Sequence, residues 1–395
     1  MQSVADALRA VLARVSRLGA QDVPLDGVAG RVLATDLAAP RPLPGFDNSA
    51  MDGYAARAAD LPGTLPVAAT IYAGGAAVAM PTGTVARIFT GAPLPPELDT
   101  VVIQEDAEVV GEAVALPASP PGDNVRRTGE DLAAGAPVLA AGTRLVPWHL
   151  GVLAALGFAQ VPVARRPRVA LIATGDELVD VATAPGFGQL VDSSAHALAA
   201  LVREAGGVPV PLGIARDDRG AVAALLGRAL RECDAIVTTG GVSVGERDHV
   251  HAALGEAGIA LELWKVAMKP GKPFSFGMRG DVPVFGLPGN PVSTVVAFEL
   301  FLRPALLAMQ GAAVVERTRA TVRLAGGYRK QAGRAHYLRA AVAREGGELV
   351  ARPHGKQGSA MLSSLLACNA LVEVAAELTE VAADALAPAI LLEAV

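Results

Sequence analysis

The sequence predicts an α/β plus β fold in several domains: a doubly wound, largely parallel α/β domain, an inserted β-rich domain, a helical base and a β-rich C-terminal domain. Three observations predict it. At 395 residues the chain exceeds what a single hydrophobic core supports. From Arg168 onward, continuous apolar runs ending in polar loops alternate with helix-length segments, as in parallel strands joined by crossover helices. On either side of that region the pattern turns to short strand-like runs broken by Gly and Pro.

Taken in order, residues 3–18 space their apolar positions as an amphipathic helix, and the chain then breaks at Gly27, Gly30 and the first prolines. Short runs such as LPVAATIYA and TVARIFT follow, and the β-rich unit closes near RRTGEDLAAGAPVL. The uncharged run Val146–Ala164 holds Pro147, His149, Gln160 and Pro162, each awkward in a spanning helix, so it reads as a buried helix ending at Gly157. The expected division is a helical base of residues 1–40 and 137–165, an inserted β domain of 41–136, an α/β domain of 166–312 and a β domain of 313–395. In the α/β region RVALIAT, VPVPLGIA, DAIVTT and VPVFGL are the strands, and HALAALVREAG is a helix. ATVRLAGGY and AHYLRAAVA restore strand alternation beyond Val314.

Composition excludes several functions. Hydrophobic residues are 52% and aromatics 4%, so the cores are built from Ala, Val and Leu. Lys plus Arg is 34 against 39 Asp plus Glu, a net charge of −5 with no long run of either sign, which argues against a general binder of nucleic acid or anionic membrane. The N-terminus has helical spacing instead of a signal peptide's apolar block, and a cytoplasmic protein is expected. Cys233 and Cys368 are too few and too far apart for a zinc site or a disulfide framework. His249 and His251, two apart on a helix, do not share a face.

Ligands of an open parallel sheet bind beyond the carboxyl ends of its strands, and three such loops stand out. ATGDEL carries Glu177; a capping box of Thr174 and Glu177 is the alternative to a functional acid. TTGGVSVGERD places Gly240, Gly241 and Gly245 where backbone amides can meet phosphate oxygens, with Asp248 able to hold magnesium beside them. It has the GxxxxG spacing of a P-loop, but Glu246 and Arg247 replace the Lys and Ser or Thr of a triphosphatase. GLPGNPVS puts Asn290 at a helix N-cap and Pro291 at the first helical position, while MKPGKPF holds Lys269 and Lys272 between prolines. Carboxylates, glycine amides and fixed lysines together suit a metal-assisted reaction on a phosphate-bearing small molecule. FDNSAMDGY, with five polar side chains behind three prolines, reads as either a turn or a further part of a site.

FDNSAMDGYA, FTGAPLP, RRTGEDL, RPRVALIATGDEL, GGVSVGERD, MKPGKPFSFG, GLPGNPVS and QGSAMLSSL, in this order along essentially the whole chain, resemble the molybdopterin molybdenumtransferases, the MoeA proteins and the gephyrin E domain. The resemblance implies a molybdopterin-binding-like central domain and a homodimer in which one subunit's inserted domain faces its partner's sheet domain. It implies magnesium-dependent hydrolysis of adenylylated molybdopterin, release of AMP, and insertion of molybdenum from molybdate into the dithiolene. By resemblance Asp52, Thr90, Asp131 and Glu177 match catalytic positions, and Asp218 and Asp248 match acids linked to metal and substrate phosphate. Gly240, Gly241, Ser243, Gly245 and Asp192 fall where the substrate phosphate and cofactor bind; Lys269, Lys272, Ser293 and Ser359 fall at the molybdate site, with Arg334 or Arg339 as an added cation. Ser194 stands where the family usually has Asn. Molybdate and tungstate are not distinguished, and the family leaves room for transient contacts with an adenylyltransferase and with molybdoenzymes. Two other readings compete. A molybdopterin adenylyltransferase shares the TGGVS type of loop but is a single small domain, and a pure scaffold would be free to lose the acids and lysines this chain keeps.

Overall fold

The computed structural model describes residues 1–76, 78–216, 218–241, 249–393 and 395, without the side chains of His249, Val250, His251, Leu261, Leu263 and Trp264. Ser3 caps the first helix, Val4–Leu12, by accepting the Asp6 N–H. The helix is shorter than the periodicity of residues 3–18 predicts, because beyond Leu12 the chain leaves it and the Leu18 N–H bonds to the Met309 carbonyl at 2.7 Å. Its Ala7 and Val11 are buried in the core that contains Phe298, Phe301 and Leu306, so it packs on the α/β sheet domain and not on the base.

In the base, Ala20–Pro24 pairs antiparallel with Gln160–Ala164, and Leu37–Ala38 with Pro137–Leu139. The chain therefore leaves for the β-rich segment and returns to pair with itself. Helix Pro147–Leu156 starts with Pro147 and stops at Gly157, whose φ of 87° suits glycine. It is not the buried helix expected: Trp148 is 72% and Val152 40% exposed, since a helix apolar all round turns only one side, with Leu153 and Leu156, to its core.

The β-rich segment forms a six-stranded sheet in the order Thr100–Ile103, Gly53–Ala56, Val85–Ile88, Gly63–Ile71, Ala113–Leu116, Glu108–Val110. Gly53 is required there, because a Cβ would lie 2.0 Å from the Val102 carbonyl oxygen.

The α/β sheet runs Val208–Ala215, Arg168–Thr174, Ala235–Thr239, Val282–Leu287, Ser275–Arg279, Ala260–Trp264, the first four parallel and the last two antiparallel. Continuous apolar runs are what such strands need, since both faces are covered. Ser193–Glu204 and the helical run Pro291–Met309 bury one face, while Arg219–Glu232 and His249–Glu256 cover the other. Pro291–Met309 is long and apolar enough to cross a membrane, yet 89% of its most apolar window is buried inside the protein. From Arg168–Thr174 the chain adds its next strand on one side and the one after on the other, which leaves a crevice at the carboxyl ends of Arg168–Thr174 and Ala235–Thr239.

The C-terminal strands Ala335–Glu345, Glu348–Pro353, Arg319–Leu324, Leu386–Leu391 and Ala370–Val374 pair in that order, and the last returns to the first, closing a small barrel. Val322, Leu338, Ala340, Val372 and Ala389 fill it. Strand Met268–Lys269 is added to its edge by parallel pairing with Ala335–Glu345, so the barrel grips the loop that carries the two lysines.

Candidate functional site

A cleft of about 650 Å³ occupies the crevice at the carboxyl ends of the parallel strands. Thr174 and Glu177 line it after one strand, Thr239, Gly240 and Gly241 after the next, and Pro288, Gly289, Asn290 and Pro291 after the third. Asp192 and Ser194 border it from the start of helix Ser193–Glu204, and Ala360 and Leu362 close it from the barrel.

Gly240 takes φ 83° and packs so close that a Cβ would be 2.5 Å from the Thr174 carbonyl oxygen. Only glycine lets these two loops meet; the Gly240 N–H donates to the Leu287 carbonyl at 3.2 Å, and Gly241 stands beside it at the cleft wall. The Thr174 hydroxyl donates to the Thr239 carbonyl at 3.1 Å, joining the same loops. That overturns the capping-box alternative. Gly175, at φ 147°, sends the chain into a turn and the short strand Leu178–Val179, so no helix follows Thr174 for it to cap. The next helix begins only at Ser193, where the Asp192 carboxylate accepts the Ala195 N–H at 3.1 Å. Ser194 is buried beside it.

Asn290 is the N-cap of helix Pro291–Ala297, but its side chain makes no cap hydrogen bond. Thr294 instead donates to the Pro288 carbonyl at 2.6 Å, which fixes the loop and leaves the Asn290 amide at the cleft. Ser293 lies buried in the first turn of the same helix.

Lys269 and Lys272 are exposed, and Pro273, directly after Lys272, lines the cleft. Opposite Lys269 in the strand pairing lies His336, 5% exposed, with Nδ1 2.9 Å from the Tyr328 hydroxyl. Burial first, then the charges of Lys269, Lys330 and Arg334, push its pKa down to about 4, so the imidazole opposite Lys269 is neutral near pH 7. Ser359 is half-buried next to Ala360. Arg339 is fully buried and donates to Ser364 Oγ at 3.1 Å and the Gly358 carbonyl at 3.1 Å, so it holds the Ser359 loop and its charge is turned to that loop; Arg334 is half-buried at the start of its strand.

Asp218 caps helix Arg219–Glu232 through the Ala221 N–H at 2.7 Å and is exposed. Arg216, two residues earlier, donates to the Asp176 carbonyl at 2.8 Å and ties that loop to the Glu177 turn. Ser243, Gly245 and Asp248 lie outside the described residues. Among the described residues no cluster of three or more His, Cys, Asp or Glu side chains could hold a metal ion.

The remaining candidates lie on the β-rich unit. The Asp52 carboxylate accepts both the Thr90 N–H at 2.8 Å and the Thr90 hydroxyl at 2.7 Å. Those bonds, and the Arg87 charge, hold it below the usual carboxylate range. Asp47, five residues earlier, is clamped in the same way by Thr128, N–H and hydroxyl both at 2.7 Å, with Arg127 added at 2.7 Å. Its pKa is also depressed, by the Thr128 N–H first and then Arg127. Thr128 and Arg127 were not singled out in the sequence, although RRTGEDL was; their clamp fixes the turn that carries the exposed Asp131. The structure thus joins Asp52 to Thr90 and gathers Glu177, Asp192, Gly240 and Gly241 in one cleft, but no described residue lining that cleft comes from residues 41–136.

Comparison with known proteins matches this architecture along its length. The family model of the MoeA N-terminal region (domain I and II) matches residues 2–157, that of a probable molybdopterin binding domain matches 170–308, and that of the MoeA C-terminal region (domain IV) matches 321–392. Molybdopterin molybdenumtransferase 2 of Mycobacterium tuberculosis is 38% identical over 397 aligned positions, covering 97% of this chain and 98% of that one. Molybdopterin molybdenumtransferase of Haemophilus influenzae is 35% identical, with 91% and 90% covered. A crystal structure of the molybdopterin biosynthesis MoeA protein of Pyrococcus horikoshii superposes with a TM-score of 0.85 at 32% identity, over 99% of this chain and 100% of that one. A chain with these matches in sequence and architecture belongs to the MoeA family, the molybdopterin molybdenumtransferases of molybdenum cofactor biosynthesis.

Proposed function

We propose that the chain hydrolyses the phosphoanhydride of adenylylated molybdopterin, releases AMP and passes molybdenum from molybdate to the freed dithiolene. The carrying observation is the cleft itself, where glycine turns, two carboxylates and a helix start meet within about 650 Å³ beside a lysine loop held by the barrel. Gly241 would take a phosphate oxygen on its amide, at no side-chain cost, while Gly240, whose N–H donates to the Leu287 carbonyl, shapes the loop. Lys269 and Lys272 would hold molybdate, an oxyanion, next to the dithiolene, so cleavage and insertion occur without the intermediate leaving.

Magnesium takes one or two carboxylates and fills its remaining positions with phosphate oxygens and water. The exposed Asp218, two residues beyond the Arg216 that donates to the Asp176 carbonyl, fits such a shared cation, with Asp248 as its partner. Bound with the substrate, magnesium would offset the charge that builds on the phosphates as the anhydride opens.

Asp52 would complete the site from a second subunit of a homodimer. Two observations support this reading: no described cleft-lining residue comes from the β-rich unit, and helix Pro147–Leu156 leaves Trp148 and Val152 for a partner to cover. The test is AMP release from adenylylated molybdopterin. Asp248→Ala and Asp218→Ala are expected to lose magnesium-dependent release, and full retention by either overturns its assignment. Adenylylation of molybdopterin from ATP without molybdate would favour an adenylyltransferase instead.

A further inference from the structure

Beside the Asp52–Thr90 pair lies a run of planar groups that the proposed chemistry does not use. The Arg87 guanidinium is 5.1 Å from the Tyr54 ring centroid and 4.8 Å from that of Phe89, and Phe89 stacks on Tyr72 with centroids 4.9 Å apart and ring planes 8° from parallel. Pairing places Arg87 opposite both Tyr54 and Thr70, and Phe89 and Tyr72 each follow two residues along those strands, so the four side chains share one sheet face. Arg87 is fixed in the run by donating to the Gly53 carbonyl at 3.0 Å and to Gln104 Oε1 at 2.5 Å. Tyr72 ends it, and it is 61% exposed. The rest of that sheet turns Ile71, Ala86 and Ile88 inward to a closed core, so the exposed aromatic end is not packing that failed to find a core.

We infer that Tyr72 and Phe89 form a stacking platform for the adenine ring of the substrate's adenylyl group. Two near-parallel rings with an accessible end suit a flat, fully conjugated bicycle added as the next member of the stack. Adenine is such a ring, while the reduced pterin fused to its pyran keeps saturated carbons that spoil a flat approach. Phe89 directly precedes Thr90, so an adenine seated there would lie next to the carboxylate assigned to the reaction. The inference rests on the proposed function, and in the same dimer the platform would serve the partner's cleft.

Calorimetric titration of the full chain with AMP, with a soluble pterin and with inorganic phosphate tests it. Tyr72→Ala is expected to weaken AMP about tenfold, the scale of one base stacked on one ring, and to leave phosphate unchanged. Tyr72→Phe, which keeps the ring, is expected to bind AMP like the parent. Unchanged AMP affinity in Tyr72→Ala, or a loss confined to the pterin, overturns the platform and leaves the proposed reaction standing. Failure of the unsubstituted chain to bind AMP overturns both.

Discussion

The cleft of the parallel sheet and the Asp52 corner of the β-rich unit are built on opposite plans. The cleft is a cavity walled by backbone: Gly240, Gly241 and Gly289 bring loops together, and its acids Glu177 and Asp192 are spread along the rim. At the corner the carboxylate already has its donors, since Thr90 satisfies Asp52 through two bonds and lowers its pKa. One region offers a cleft of about 650 Å³ and the other a fixed negative charge next to a strand end. The proposed function joins the two in one site across a dimer.

Substitutions should separate the two plans. Asp52→Ala is expected to lower kcat for AMP release on the order of 100-fold or more while barely moving the KM for molybdate, as removal of a positioned group does. Lys269→Ala and Lys272→Ala should do the reverse, each raising the molybdate KM about 10- to 100-fold, the worth of a charge-assisted bond. Gly240→Ala should destabilise the fold by roughly 1–3 kcal/mol, because it adds both a strained φ and a clash with Thr174, and a thermal melt would show it.

Acid stability sharpens the lysine side of the comparison. His336 has its pKa lowered in the fold from 6.5 to about 4, so between those values the unfolded chain binds a proton that the folded one refuses. Stability from this group is whole above pH 6.5, declines as the pH falls toward 4 and is flat below, with a cost of at most about 3 kcal/mol. Denaturant midpoints across that range should show the decline, and His336→Gln should flatten it. The smallest effect concerns Thr90→Val. It removes one of two donors to Asp52, so the Asp52 pKa rises and the acid limb of the kcat profile moves to higher pH.

The sheet domain was legible in the sequence because strands covered on both faces must be continuous apolar runs, and RVALIAT and VPVFGL became strands with those same bounds. The cleft followed from the rule that ligands bind at strand carboxyl ends, which gathered Glu177, Gly240, Gly241 and Asn290 from three loops. Contacts set by distant pairing were not legible. The first helix has the pattern of any amphipathic helix, and nothing in residues 4–12 names Phe298 and Leu306 as the core it joins. The Asp47 clamp spans 81 residues to Thr128, and the Arg87–Phe89–Tyr72 run combines residues from separate strands. The capping box at Thr174 failed because a glycine at φ 147° decided the turn before any helix could begin.

Mixing subunits tests the dimer-spanning site most directly. Asp52→Ala and Glu177→Ala homodimers should each be inactive in AMP release. Unfolded together and reassembled at equal amounts, they should recover about a quarter of the parent activity, because half the dimers are mixed and each mixed dimer has one intact site. Activity that stays at the level of the separate variants would place Asp52 and Glu177 in the same subunit's site and contradict the account.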